Sequence, residues 1–169
     1  HCDRFIRTGN VLVRGAEVSF VAFCLLPLIP TSFARIYTDT AGIDTVAHAL
    51  VLLTKQLNPD FEPCPITSFS SYGGLDSFQF ERPESCLILI SASTSGQLPK
   101  ILSEKKGISS KAVITLFYLG DKPMPGVLCD ITRRDSNDVH CFDPVHNYAD
   151  SLSCEYCRRG FTPIRISAR

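Results

Sequence analysis

The chain contains no tryptophan, one methionine (Met124) and no net charge, its 17 Lys and Arg balancing 17 Asp and Glu. Neutrality removes the chain-wide electrostatic footprint with which proteins gather on nucleic acid or anionic membranes, so neither partner is expected. Arg133-Arg134 and Arg158-Arg159 are the local exceptions, and they read as solvated faces. The longest apolar run, residues 18–29, has Pro27 inside it and Pro30 behind it. A membrane-spanning helix needs about 20 apolar residues, and the run also lacks the basic start and small-residue cleavage site of a signal peptide. A Gly-x-Ser-x-Gly elbow and a Walker phosphate loop are both missing, so the sequence gives no starting point for those two chemistries. With His1 in front and its one methionine internal, the chain reads as a piece of a longer protein.

At 169 residues, 44% hydrophobic and 20% charged, the chain is long enough for one domain with a real core. Eight cysteines raise the question of a disulfide scaffold. Cys24 within Phe23-Cys24-Leu25-Leu26, and Cys86 opening Cys86-Leu87-Ile88-Leu89-Ile90, instead read as small buried hydrophobes. A soluble protein of the reducing cytoplasm is expected.

Along the chain, residues 1–13, with Thr8-Gly9-Asn10 between short apolar runs, read as a turn or hairpin. Gly15 to Leu26 reads as a helix stopped by the prolines. A short strand, Ala34 to Thr38, runs through Asp39-Thr40-Ala41-Gly42 into a helix from Ile43 to Leu57, where Val46, Ala47, Leu50 and Val51 form an apolar stripe. Residues 66–70 read as a strand, with Gly73-Gly74 as a break. Cys86–Ile90 is a continuous apolar run suited to a strand covered on both faces. A helix from about Gln97 to Lys106 follows, then strands over 111–119 and 126–131. This alternation predicts an α/β fold, a three-layer, mainly parallel sheet flanked by helices, over residues 1–131. From Thr132 the composition turns polar, and residues 132–169 read as a small C-terminal appendage.

Ser91-Ala92-Ser93-Thr94-Ser95-Gly96 is the segment with the most chemistry. A buried strand delivers it to the carboxyl edge of the sheet, where open α/β folds bind ligands. The next helix presents unpaired N–H groups and the positive end of its dipole. Four hydroxyls offer donors, and Gly96 permits close backbone approach, a combination suited to phosphate or carboxylate. The alternative is that these residues simply cap the helix.

Strand, then Ser93-Thr94-Ser95-Gly96, then helix resembles the signature of the SIS (sugar isomerase) domain over roughly residues 34–120. The resemblance implies a Rossmann-like fold, a phosphosugar ligand and a homodimer. It has Ser91, Ser93, Thr94, Ser95 and Gly96 hold the ligand, with Thr40 and Gly42 of the earlier loop opposite them. Leu98 stands where the family usually has threonine, and Asp39 lies in what is usually a Gly-rich loop. The expected function is a sensor or regulatory domain for a phosphorylated small molecule, a phosphosugar or nucleotide-like anion. A phosphosugar isomerase is the enzymatic alternative. The segment Ile36 to Thr45, with Asp39, Gly42 and Thr45 in order, also resembles the loop of phosphoribosyltransferases, but without their adjacent acid pair. His48 reads as a polar residue on an exposed helix face, and Glu17 as a complement to a helix dipole.

Cys154-Glu155-Tyr156-Cys157 has the spacing with which two thiolates reach one tetrahedral zinc. With Cys141 and His146 (or His140) it forms a candidate structural zinc site; free thiols or a disulfide are the alternatives. A zinc-stapled tail would make the chain an interaction module instead.

Overall fold

The structure is a computed structural model that describes residues 11–120 and 122–131. The appendage, with Cys141, His146, Cys154 and Cys157, lies outside the described residues, as do the first ten residues of the expected N-terminal hairpin.

In chain order the main elements are α1 (Gly15–Leu25), β1 (Arg35–Thr38), α2 (Asp44–Leu57), β2 (Ile66–Ser68), α3 (Ser71–Leu75), β3 (Cys86–Ser93), α4 (Gln97–Lys105), β4 (Val113–Tyr118) and β5 (Val127–Asp130). The five strands form one all-parallel sheet in the order β2-β1-β3-β4-β5. This is the α/β architecture expected from the alternating pattern. The strand order reverses direction between β1 and β3, which creates a topological switch point at their carboxyl ends.

The apolar run of β3 is the centre of the molecule because it is buried on both sides. Leu87 and Leu89 face the helix pair α1 and α2, joining Ala22, Leu25, Val46, Ala47 and Leu50. Ile88 and Ile90 face the opposite layer, with Leu98 and Leu102 of α4 and with Phe69 and Leu75 around α3. All four are fully shielded from solvent, each worth about 1.5–3 kcal/mol of burial. The second layer also holds an aromatic group in which the rings of Tyr37, Phe69, Phe78 and Phe80 meet mainly edge to face. The Tyr37 hydroxyl donates to the Glu81 carbonyl at 3.1 Å and accepts the Glu81 N–H at 2.9 Å, so a buried phenol is fully satisfied.

Helix ends follow local chemistry. In α1 the Glu17 carboxylate accepts the Arg14 N–H at 3.1 Å. A single 3₁₀ turn, Ala41–Ile43, precedes α2, which has Asp44 in its first turn and Lys55 in its last, both matching the helix dipole. Gly73-Gly74, expected as a break, lies inside the one-turn helix α3. The preceding serines, Ser70 and Ser71, both adopt positive φ, 59° and 51°. Among the described residues no helix is long and apolar enough to cross a membrane.

Candidate functional site

The carboxyl edge at the β1/β3 switch point collects most of the residues singled out in the sequence. Their local structure differs from a simple loop. Strand β3 continues through Ser91, Ala92 and Ser93, with Ala92 paired to Phe117 and Ser93 to Tyr118. Only Thr94, Ser95 and Gly96 bridge strand and helix. The strand runs past its apolar portion because β4 is long enough to keep pairing with it, a long-range cause that the local sequence does not reveal.

Ser91 is buried, and its partner is Asp39, itself only 4% exposed. The Ser91 N–H donates to Asp39 Oδ1 and the Ser91 hydroxyl to Oδ2, each at 2.9 Å. Burial pushes the Asp39 carboxyl upward from its ordinary value, and the hydrogen bonds from Ser91 oppose that rise. Next to it, the Thr38 hydroxyl donates to Asp44 Oδ1 at 2.6 Å, tying the end of β1 to the start of α2.

The outer hydroxyls have the opposite polarity. Ser93 Oγ accepts the Gly96 N–H at 3.0 Å, and Ser95 Oγ accepts the Gln97 N–H at 3.3 Å. Thr40 Oγ1 accepts the Gly42 N–H at 2.9 Å. A hydroxyl has one proton and two lone pairs, so each of these oxygens keeps its proton for another acceptor. Thr38 and Ser91, by contrast, have given their protons to carboxylates. The edge is thereby sorted into an inner pair of hydroxyls that bind acids and an outer set that retains donors.

Gly96 is in the left-handed region at φ 67°, which only glycine adopts without strain. A Cβ there would lie 2.9 Å from Met124 Sδ and 4.0 Å from the Tyr118 hydroxyl. That hydroxyl donates to the Lys122 carbonyl at 2.9 Å. Residues after β4 therefore close one side of the α4 N-terminus, which sequence reading missed because it depends on a contact between separate loops. The turn after β2, with Ser68, Ser70 and Ser71, also lies at this edge and was not singled out. Its composition of serine and glycine was the available signal.

His48 is exposed on α2, as expected for a polar face, and Glu17 serves the α1 N-terminus. Among the described residues no group of three His, Cys, Asp or Glu side chains is placed to hold a metal. The four described cysteines, Cys24, Cys64, Cys86 and Cys129, are free thiols. Burial pushes the Cys86 thiol up to about 11, which makes it a packing group and not a nucleophile. A cleft of about 380 Å³ lies at the opposite, amino edge of the sheet, between residues 31–34 and 58–65. None of the candidate ligand residues lines it.

Compared with protein-family models, curated proteins and solved structures, the chain has no significant match. Fold and site geometry are therefore the grounds for a functional reading.

Proposed function

We propose that the domain binds a phosphorylated small molecule, a phosphosugar or nucleotide-like anion, at the carboxyl edge around Ser93, Thr94, Ser95 and Gly96, as a SIS-like sensor or regulatory domain. The observation that supports this reading most is the polarity of the outer hydroxyls. Ser93 and Ser95 cap α4 by accepting N–H groups, and the same bonds leave their protons available to an anion's oxygens. Capping and ligand binding are thus compatible uses of one set of side chains. The N-terminus of α4 adds favourable dipole charge, and the switch point supplies the usual location for a ligand in an open α/β sheet. Thr40 and Gly42 stand on the neighbouring strand's loop, at the same edge.

The role is one of binding. Asp39, the buried carboxylate at this edge, has Ser91 on both its oxygens, and the reading assigns it no proton transfer.

A thermal-shift screen with sugar phosphates, nucleotides and phosphoribosyl pyrophosphate tests the proposal. A binder present at about 100 times its Kd stabilises by roughly 2.7 kcal/mol. Ser95→Ala removes a hydroxyl donor from an exposed position. It is expected to weaken binding about tenfold, while the unliganded chain loses only about 0.5–1 kcal/mol for the exposed capping bond. Full affinity in Ser95→Ala and in Ser93→Ala would sink the assignment.

A further inference from the structure

The hydroxyl and N–H groups around Ser93, Thr94, Ser95 and Gly96 are all neutral. A phosphate monoester carries about −1.5 to −2 charges at neutral pH, and a helix N-terminus answers with about +0.5. At least about one unit of negative charge is left over, because hydroxyls orient an anion without cancelling its charge. A carboxylate at the same place leaves only about half a unit. Whether a cation stands within reach therefore decides which of the two anions the edge suits.

Two lysines come near the α4 N-terminus. Lys100 lies one turn into the helix, but its ammonium is 4.0 Å from Glu104, a further turn along, and so is drawn toward the other end. Lys122 is held differently. Its carbonyl accepts the Tyr118 hydroxyl at 2.9 Å, and that hydroxyl lies 4.0 Å from where a Cβ on Gly96 would stand. Tyr118 is only 5% exposed, and the chain folds back over its ring at Gly120, where a Cβ would collide with the phenol. Two residues further on, Met124 Sδ comes within 2.9 Å of the same Gly96 position. The backbone of Lys122 is thus fixed beside the start of α4 by Tyr118 on one side and by the packing of Met124 on the other. Its side chain is exposed and forms no ion pair among the described residues. A lysine extends about 6 Å from its Cα on a flexible four-carbon stem, which puts the site in its range.

We propose that Lys122 is the cation of this site, positioned by Tyr118, and that it selects a phosphate dianion over a carboxylate. Lys122 acts within the anion site proposed above, and on that reading it adds the charge that Ser93, Ser95 and the helix terminus lack. A compact ammonium needs no fixed fork geometry, so it can follow a phosphate whose orientation the hydroxyls set. Tyr118 touches no ligand itself. It is a positioning residue, acting through the Lys122 backbone.

The test is binding of inorganic phosphate to the full chain at mildly alkaline pH, read by phosphorus NMR line broadening, with acetate as competitor. The native chain is expected to bind phosphate, with acetate competing poorly. Lys122→Gln is expected to weaken phosphate about tenfold and to bring acetate closer to parity, with an unchanged circular dichroism spectrum. Lys122→Arg, which keeps the charge, is expected to stay within about threefold of native, and Lys100→Gln to bind as the native chain does. Tyr118→Phe is expected to weaken phosphate several-fold in the native chain and to add nothing in Lys122→Gln, a coupling that a merely structural tyrosine would not show. Native affinity in Lys122→Gln, with Ser95→Ala weakened, overturns the inference and leaves the hydroxyl site standing. Full affinity in both Ser93→Ala and Ser95→Ala, with a loss in Lys122→Gln, places the anion elsewhere and overturns both. A native chain that binds no phosphate, or in which acetate competes as well as phosphate, overturns the role of Lys122 in selecting a dianion.

Discussion

The Asp39 side chain does for Ser91 what the backbone of β1 no longer does. Strand β1 pairs with β3 as far as Thr38 opposite Leu89, and the Asp39 N–H reaches the Leu89 carbonyl at 3.0 Å. The chain then turns into the 3₁₀ segment, leaving the Ser91 N–H beyond the end of the ladder. The carboxylate takes that N–H and the Ser91 hydroxyl together, so the sheet continues through a side chain across its own switch point.

Asp39→Ala is expected to strand both Ser91 groups in a buried site, at a cost of about 2–3 kcal/mol in urea denaturation. Asp39→Asn retains an oxygen for the N–H, and its amide can donate to the Ser91 oxygen, so a loss below about 1 kcal/mol is expected. The pH dependence has a definite sign. Desolvation holds the folded-state pKa of Asp39 above its ordinary 3.8. The group's contribution is therefore fully present below that ordinary value and is lost as pH rises through the folded-state pKa. The stability of the native chain relative to Asp39→Asn should fall with rising pH across that window and then level off. A rise instead would show that the Ser91 hydrogen bonds outweigh burial.

Two glycines at the same edge should respond differently to alanine. At Gly74 a Cβ would collide with the Phe69 carbonyl oxygen, a backbone atom that cannot step aside alone. At Gly96 the nearest atom is the sulfur of Met124, at the flexible part of its side chain, and the cost is mainly the positive φ. Gly96→Ala is expected to cost about 1–2 kcal/mol and Gly74→Ala about 2–3 kcal/mol or more. Thermal or chemical melting of both variants gives the order directly, and equal losses would contradict it.

Thr115 has a buried hydroxyl with no hydrogen-bond partner among the described residues. Valine has nearly the same shape without the polar group. Thr115→Val is thus expected to stabilise the chain by about 1 kcal/mol, read as a higher urea midpoint at constant slope. A loss of similar size would mean that the hydroxyl is engaged in solution.

Local patterns made much of the fold legible. The run Leu87–Ile90 announced a central strand because both of its faces are buried, and the stripe Val46, Ala47, Leu50 and Val51 announced α2 because one helix face meets the sheet. What was not legible depends on distant partners. Ser91 and Ser93 looked like loop residues, and only the length of β4 and the reach of Asp39 make them strand. Residues 66–70 were expected to be one strand, but pairing ends at Ser68, where β1 also ends, and Ser70 turns to positive φ. At the candidate site, hydroxyls and glycines were visible as composition, whereas the direction of each hydroxyl's proton required the three-dimensional arrangement. Helix α1 leaves Phe20 and Phe23 exposed, although a helix apolar all round is usually buried.

The connection from β4 to β5 has a consequence for how the sheet assembles. Parallel neighbours usually wait for a long crossover, and β1 with β3 must bring Arg35 to Cys86. Thr115 meets Val127 after a far shorter excursion. Closing the shorter loop spares about two doublings of length, roughly 1.2 kcal/mol of chain entropy. Low sequence separation also favours speed. Strands β4 and β5 are accordingly the least costly part of the sheet to nucleate, and β3 can dock onto a pair already formed. The switch point joins the most distant of these segments and carries the larger closure cost, so the carboxyl edge at β1 and β3 is expected to form after the β4–β5 pair.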